Sequence, residues 1–190
     1  DALIKQNVVD LTILGNKDTV VSAMKRLNLS MDLEKVKIVN PATSDRFDDY
    51  ANSLYELRKH KKVTLEMARD LMLDVSYFGT MMVYKGEADG MVSGAVHTTQ
   101  HTIRPALQFV KTKPGVETVS SVFFMCLPNR VSVFGDCAVN PNPTSEQLAD
   151  IAISSAETSK MFGIEPKIAM LSYSSGSSGE GEDVEKVRKA

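Results

Sequence analysis

Alternation of apolar and polar positions divides the first part of the chain into strands and a helix. "VVDLTILG", residues 8–15, is rich in β-branched and apolar residues and ends in glycine, which predicts a buried strand. "VKIVNPAT", residues 36–43, predicts a second short strand that Asn40 and Pro41 stop. Between them, residues 16–29 have the spacing of an amphipathic helix.

Helical spacing continues after the second strand. Residues 49–60 predict one helix, and a further helix is predicted to begin at Thr64, whose hydroxyl can cap it. The apolar residues of that helix fall broadly on one face: Leu65, Ala68, Leu71, Met72, Val75, Phe78 and Met82. We interpret its methionines as core residues. "ADGMVSG", residues 88–94, then predicts a short strand and a turn, and strands that alternate with helices favour an α/β fold with an open, largely parallel sheet.

The pattern changes after "KTKPG", residues 111–115. Two β-rich runs follow, residues 116–128 and 131–139, and they predict an antiparallel hairpin. Before these turn residues, short strands alternate with helices, and after them two β-rich runs follow each other directly. Because the turn coincides with this change, we predict a first domain over residues 1–113 and a second over residues 114–190.

The second predicted domain continues with the strongest local helix signal in the chain. Thr144 can cap a helix, Gln147 can complete a capping box three residues later, and Gly163 marks the helix end. Residues 167–190 then predict a strand, a Gly/Ser loop and a final helix.

Composition narrows the function classes. The 190 residues are 43% hydrophobic, enough for one good core or two modest ones. The 22 basic and 24 acidic residues nearly cancel and form no basic run, which argues against nucleic acid as a partner and favours small molecules or further copies of the chain. No stretch of about 18 apolar residues and no signal peptide is present, so we expect no membrane partner and a cytoplasmic location. Cys126 and Cys137 are interpreted as reduced core residues.

Small and hydroxyl residues gather at two junctions between a strand and a helix, residues 89–104 and 170–183. At the carboxyl ends of parallel strands such residues expose backbone N–H groups that suit anions. The candidate donors are Ser93, Gly94, Thr98 and Thr99 at the first junction, and Ser172, Ser174, Ser175, Gly176, Ser177 and Ser178 at the second. Neither junction matches a P-loop or a dinucleotide fingerprint, so ordinary flexible connections remain an alternative.

Charged and titratable side chains near these junctions suggest several chemistries. Arg104 could form paired hydrogen bonds with a phosphate, or only a surface salt bridge. His97 and His101 have a spacing compatible with metal ligation, but the sequence shows no third ligand, so we predict no metal site. Asp89 and Asp136 could act as acids or bases, or could cap turns. No Gly-x-Ser-x-Gly elbow is present.

Long colinear stretches carry a resemblance to a known family. They include "GEADGMVSGAVHTTQHTIRPALQFVKTKPG", "SSVFFMCLP" and "GDCAVNPNPTSEQLADIAISSAETSKMFGIEPKIAMLSYSSGSSG". The chain resembles the phosphate acetyl/butyryltransferase family over nearly its whole length, and its details favour the acetyl members. The resemblance implies interconversion of acetyl-CoA plus phosphate with acetyl phosphate plus CoA, with no cofactor because CoA is a substrate. It also implies two α/β/α domains with an active-site cleft between them, similar to isocitrate and isopropylmalate dehydrogenases, and assembly into dimers or larger homo-oligomers.

The resemblance assigns roles to particular residues. Arg104, in "TIRP", matches a catalytic arginine that grips the phosphoryl end of acetyl phosphate, and Arg58, in "YELRKHK", matches one that contacts CoA. The other expected substrate-binding residues are Ser93, Gly94, His97, Thr98, Thr99, Thr102, Tyr173 and Ser174. Of these, His97 and Thr102 are expected only to order the turn that carries the donors.

The sequence departs from the family pattern at both ends. Family members continue beyond the equivalent of Ala190 with an "NDLSRG"-like motif, a serine, an arginine and the aspartate that deprotonates CoA, and they begin before "DALIKQ". We therefore expect a piece of the enzyme that lacks its general base. Alternative functions are an acetyl-CoA-sensing regulatory module of the malic-enzyme type and a phosphate butyryltransferase. A dehydrogenase is disfavoured by the missing dinucleotide fingerprint.

Overall fold

A computed structural model describes residues 2–190, and the chain divides into two compact units, Asp1–Lys111 and Thr112–Ala190. The division falls two residues before the boundary that the sequence predicts. Both units combine helices and strands, which confirms the α/β fold class. None of the helices in residues 2–190 combines the length and the apolar character needed to cross a membrane.

The first unit contains a short parallel sheet. After helix α1 (Ala2–Gln6), strands β1 (Leu11–Leu14) and β2 (Val36–Val39) pair in parallel, as the sequence predicts. The predicted helix between them is α2 (Lys17–Arg26). It begins at Asn16, whose side-chain oxygen accepts hydrogen bonds from two backbone N–H groups of the first turn.

Three helices follow the sheet: α3 (Phe47–Arg58), α4 (Leu65–Met72) and α5 (Val75–Tyr84). Thr64 caps α4 as predicted, because its Oγ1 accepts a hydrogen bond of 3.1 Å from the backbone N–H of Met67. The prediction of one continuous helix through Met82 is wrong.

The break comes from Asp74, whose Oδ1 accepts hydrogen bonds from the N–H groups of Ser76 (2.9 Å) and Tyr77 (3.2 Å) and so begins a new helix.

The core of the first unit lies between these three helices. It is formed by Tyr50, Ala51, Leu54, Ala68, Met72, Tyr77, Phe78, Met81, Met82 and Phe109, with Leu14 and Val39 at the strand ends packed against it. Three of the four methionines of α4 and α5 are buried here, as interpreted from sequence, whereas Met67 is exposed. Side chains of all three helices meet in this core, which holds α3, α4 and α5 together.

The segment before the next helix differs from its prediction. Residues 88–94 do not form a strand and pair with no other strand within residues 2–190. A strand requires a hydrogen-bonded neighbour, which apolar alternation alone does not supply. Helix α6 (Thr99–Pro105) follows, with Thr98 as its N-cap, and passes into a π-helical turn over Ala106–Val110.

The second unit contains the predicted antiparallel hairpin, formed by β3 (Val122–Leu127) and β4 (Arg130–Gly135). Its turn is at Pro128 and Asn129, because Arg130 already pairs with Leu127. The sequence had suggested that Asn129 and Arg130 separate the two runs. Cys126 is exposed on this hairpin, so its interpretation as a core residue is wrong, although both cysteines are free thiols.

The helical predictions for the second unit are confirmed. Helix α7 (Ser145–Met161) carries the capping box of Thr144 and Gln147, and Gly163 follows it at φ +73°. Helix α8 (Glu182–Lys189) ends the chain. The strand predicted near residue 167 does not form, and the segment between α7 and α8 has no strand partner in the described part of the chain.

Candidate functional site

The loop that precedes α6 brings several predicted site residues together. Thr98 caps α6, because its Oγ1 accepts a hydrogen bond of 3.2 Å from the backbone N–H of His101. The hydroxyl of Thr102 donates to that of Ser93 at 3.5 Å. Gly94 has φ +108°, a backbone conformation that residues with a Cβ rarely adopt. The turn thus folds back on the first turn of α6, while Thr99 is exposed at the start of that helix.

Two histidines and an aspartate meet beside this turn. His101 Nε2 lies 2.9 Å from Asp74 Oδ2, and the rings of His97 and His101 are nearly parallel (11°) with centroids 4.6 Å apart. All three side chains are half-buried. Sequence spacing did not reveal Asp74 as a neighbour, because it lies 27 residues from His101. Its position just before the apolar run of α5 was a readable helix-cap signal, but not a sign of this contact.

The charges of the two predicted substrate arginines both act on one buried tyrosine, Tyr77. Burial raises the pKa of Tyr77, and the positive charges of Arg104 and Arg58 partly offset that rise. Tyr77 is only 4% exposed, and its hydroxyl donates to Oε1 of Gln108 at 3.1 Å. Arg58 Nη1 donates to the carbonyl oxygen of the same Gln108 at 3.2 Å. The π-helical turn therefore links the end of α3 to α5 and positions the Arg58 guanidinium.

The guanidinium groups of Arg58 and Arg104 are not neutralised by carboxylates in the described part of the chain and can therefore bind an anion. Neither Arg58 nor Arg104 forms a salt bridge with a carboxylate of residues 2–190, so the salt bridge considered for Arg104 is not found there. Arg104 is exposed and Arg58 is half-buried. A guanidinium group without a carboxylate partner can bind a phosphate through paired, charge-assisted hydrogen bonds.

The Gly/Ser loop of the second unit uses its hydroxyl groups internally. Ser174 Oγ accepts a hydrogen bond of 2.8 Å from the N–H of Gly179, and Ser172 Oγ accepts one of 3.2 Å from the N–H of Ser174. The Tyr173 hydroxyl donates to the carbonyl oxygen of Glu180 at 2.9 Å. These bonds order the loop. Substrate contacts of Tyr173 and Ser174 stay predictions.

Asp136 caps a turn. Its carboxylate accepts hydrogen bonds from the Ser121 hydroxyl (2.8 Å), the Asn140 side chain (2.6 Å) and the backbone N–H groups of Ala138, Val139 and Asn140. Burial alone would raise the pKa of Asp136, but the hydrogen bonds from Ser121, Asn140 and the backbone lower it to about 2. A carboxylate held in this way is a poor base near neutral pH, which favours the turn-capping interpretation.

We expect Asp136→Asn to lower the free energy of unfolding by about 2 kcal/mol at pH 7, because bonds to a charged acceptor are lost. The pKa of Asp136 is depressed on folding to about 2, so its stabilisation is complete above the unfolded pKa of about 3.9 and disappears as the pH falls through about 2. Urea denaturation between pH 7 and pH 2.5 measures this, with the exposed Asp89→Asn as control. A wild-type to variant difference that does not narrow below pH 4 would contradict the assignment.

Comparison with known proteins decides the family. A family model described as phosphate acetyl/butaryl transferase matches residues 1–190. The chain belongs to this family. The resemblance drawn from the sequence motifs is thereby confirmed, and the match extends over both compact units.

Relatives within the phosphate acetyl/butaryl transferase family are named phosphate acetyltransferase. The protein of that name from Synechocystis sp. is 62% identical over 189 residues, which are 100% of this chain and 27% of the relative. The one from Corynebacterium glutamicum is 52% identical over 185 residues, or 97% of this chain and 56% of the relative. The chain thus spans between about a quarter and a little over half of the length of these curated relatives.

Solved structures of two phosphotransacetylases have a fold similar to that of this chain. A phosphotransacetylase from Streptococcus pyogenes is 45% identical with a TM-score of 0.87, and the match covers 99% of this chain and 57% of that chain. The EutD phosphotransacetylase from Staphylococcus aureus is 46% identical with a TM-score of 0.84, at the same coverage of 99% and 57%. The roles of Arg58 and Arg104 stay predictions. Sequence reasoning did not single out Gln108, which accepts a hydrogen bond from Arg58, or Tyr77 and Asp74, because these residues meet their partners only through tertiary packing.

Proposed function

We propose that this protein is a phosphate acetyltransferase that interconverts acetyl-CoA plus phosphate with acetyl phosphate plus CoA. The observation that carries the proposal is the match of the family to residues 1–190, in a chain whose Arg58 guanidinium is held by Gln108 and whose Arg104 is exposed without a salt bridge to residues 2–190. The names of the relatives support the acetyl substrate over the butyryl one.

The proposed reaction is a direct acyl transfer. The CoA thiolate attacks the acetyl carbonyl carbon of acetyl phosphate, a C–S bond forms, and the C–O bond to phosphate breaks as inorganic phosphate leaves. Arg104 neutralises the phosphoryl oxygens, which stabilises the leaving group and holds it in line for attack. Arg58 binds CoA. The thiol proton goes to a base that the resemblance places in a segment with no counterpart among these residues.

The turn before α6 supplies the remaining contacts in this proposal. Ser93, Gly94 and Thr99 are exposed and can direct hydroxyl or backbone donors at a phosphate or acetyl oxygen. Thr98 caps α6, Thr102 ties the turn to Ser93, and His97 stacks on His101. Tyr173 and Ser174 are the proposed donors from the Gly/Ser loop.

The wider context is proposed on the same resemblance. The two units are parts of two α/β/α domains of the isocitrate and isopropylmalate dehydrogenase-like architecture. The protein acts in the cytoplasm on small molecules, as a homo-oligomer of two or more copies and without nucleic-acid or membrane partners. The transfer reaction needs no cofactor, since CoA is consumed as a substrate.

A thioester assay on the whole protein tests the function. Acetyl phosphate and CoA should give an increase in thioester absorbance, and butyryl phosphate should give a much smaller one. Faster transfer from butyryl phosphate would assign the protein to the butyryl branch. Tight binding of acetyl-CoA without any transfer would overturn the proposal in favour of a regulatory module.

We expect Arg58→Ala to raise the KM for CoA by about 10- to 100-fold with a smaller effect on kcat, because a charge-assisted contact contributes about 1.5 to 3 kcal/mol. Steady-state kinetics with each substrate varied in turn measure this. The matched control is Lys59→Ala, which removes the adjacent exposed cation, paired with Glu56 at 2.5 Å. Because Arg58 also bonds to Gln108, the Tm of the variant must be compared with the wild type. An effect confined to acetyl phosphate would reverse the assignment.

A further inference from the structure

We propose that Asp74, His97 and His101 form a binding site for a divalent transition-metal ion of the zinc type. One ligand atom from each residue lies within 4.8 Å of the other two. The three residues come from separate places in the first unit: the junction of α4 and α5, the turn before α6, and α6 itself. The sequence analysis predicted no metal because it showed only the two histidines.

The donor set selects the class of ion. Two imidazole nitrogens and one carboxylate oxygen are ligands typical of zinc and related ions, whereas magnesium and calcium prefer oxygen ligands alone. Three protein ligands leave a fourth tetrahedral position for water or another small ligand. We therefore expect Zn²⁺ and Co²⁺ to bind, and Mg²⁺ to bind far more weakly.

Two of the three ligands already have nearly the spacing that such an ion requires, and the third must turn toward them. Bonds of about 2.0 to 2.2 Å in a tetrahedral site place the ligand atoms roughly 3.3 Å apart. Here His101 Nε2 is 2.9 Å from Asp74 Oδ2, so this pair already has nearly the required spacing. The ring of His97 is stacked on that of His101, and because imidazole binds a metal in the plane of its ring, His97 must rotate out of the stack to join them. A rotation of the half-buried His97 side chain, which lies in the turn before α6, would complete the site without any change in the helices.

The supporting contacts orient two of the three ligands. Asp74 uses Oδ1 to accept hydrogen bonds from the N–H groups of Ser76 and Tyr77, which leaves Oδ2 directed at His101. His101 is held in the first turn of α6 by the Thr98 cap on its own backbone N–H. Outer contacts of this kind fix ligand orientation and contribute to metal affinity.

The simpler interpretation is a hydrogen-bonded pair of Asp74 and His101 with His97 stacked on it, and metal titration distinguishes the two. The whole protein, stripped with a chelator, is titrated with ZnCl₂ by calorimetry and with CoCl₂ by visible absorption. We expect one ion per chain at this site and a cobalt spectrum of a tetrahedral site. Binding measurements do not depend on acetyl transfer, so the result is independent of the proposed function.

Variants locate the ion. His97→Ala, His101→Ala and Asp74→Asn should each weaken Zn²⁺ binding at least about tenfold. His60→Ala is the matched control, because it removes the third histidine of the chain, which is exposed and outside the cluster. Asp74→Asn retains a side-chain oxygen that can cap α5, so it tests ligation even where a histidine variant fails to fold. Wild-type affinity in Asp74→Asn and in the folded histidine variants, or an equal loss in His60→Ala, would overturn the proposal.

Discussion

Replacing Arg104 by alanine should lower kcat for acetyl transfer by about 10- to 100-fold and raise the KM for acetyl phosphate. In the proposed reaction its guanidinium neutralises the phosphate as the C–O bond breaks, and a charge-assisted contact of this kind contributes about 1.5 to 3 kcal/mol. Removal leaves the charge of the departing phosphate without its partner. Arg104 is exposed and forms no salt bridge within residues 2–190, so its loss should change the stability of the fold little.

Two further variants sharpen this test. Arg104→Lys retains the positive charge but not the paired donor geometry, and should fall between the wild type and Arg104→Ala. Lys113→Ala removes an exposed cation from the start of the second unit and should leave the kinetics unchanged. Steady-state kinetics in the thioester assay, with acetyl phosphate and CoA varied separately, give both constants. Unchanged kinetics in a folded Arg104→Ala variant would remove this residue from the site.

Phe78→Ala should lower the free energy of unfolding by about 3 to 5 kcal/mol, because it empties the centre of the helical core. Phe78 is 1% exposed, and its ring lies 4.8 Å from that of Tyr50 between centroids. The variant loses the transfer free energy of the ring and leaves a cavity that α3 and α5 cannot fully close. Urea denaturation of the whole protein, monitored by far-UV circular dichroism, measures the loss.

The control for this prediction is Leu73→Ala. Leu73 joins α4 to α5 and is 51% exposed, so its truncation should cost less than about 1 kcal/mol. Similar losses for the two variants would mean that the core is not centred on Phe78. Since Phe78 of α5 packs against Tyr50 of α3, its replacement should also loosen the link between Arg58 and Gln108 and raise the KM for CoA.

Signals carried by neighbouring residues were readable without the structure. Thr64, Thr144 and Gln147 cap their helices through hydrogen bonds to residues three positions away. Both partners of each bond therefore lie within one short stretch of sequence. The hairpin of the second unit was predictable for the same reason, because its two strands are separated only by a tight turn. Asp74 shows where reading local signals fails. The apolar spacing of α4 continues through Asp74 into α5, so it predicted one helix, although the Asp74 side chain caps a new helix there.

The sequence by itself determined the α/β class, most helices, the paired strands of each unit and the family, together with Arg58 and Arg104 as candidate site residues. Tertiary structure decided which side chains meet: Asp74 and His101 across 27 residues, Tyr77 and Gln108 across 31, and Arg58 and Gln108 across 50. It also decided that residues 88–94 remain outside any sheet. The physical reason is that caps and turns depend on local backbone geometry, whereas these contacts and strand pairings exist only after helices and strands have packed.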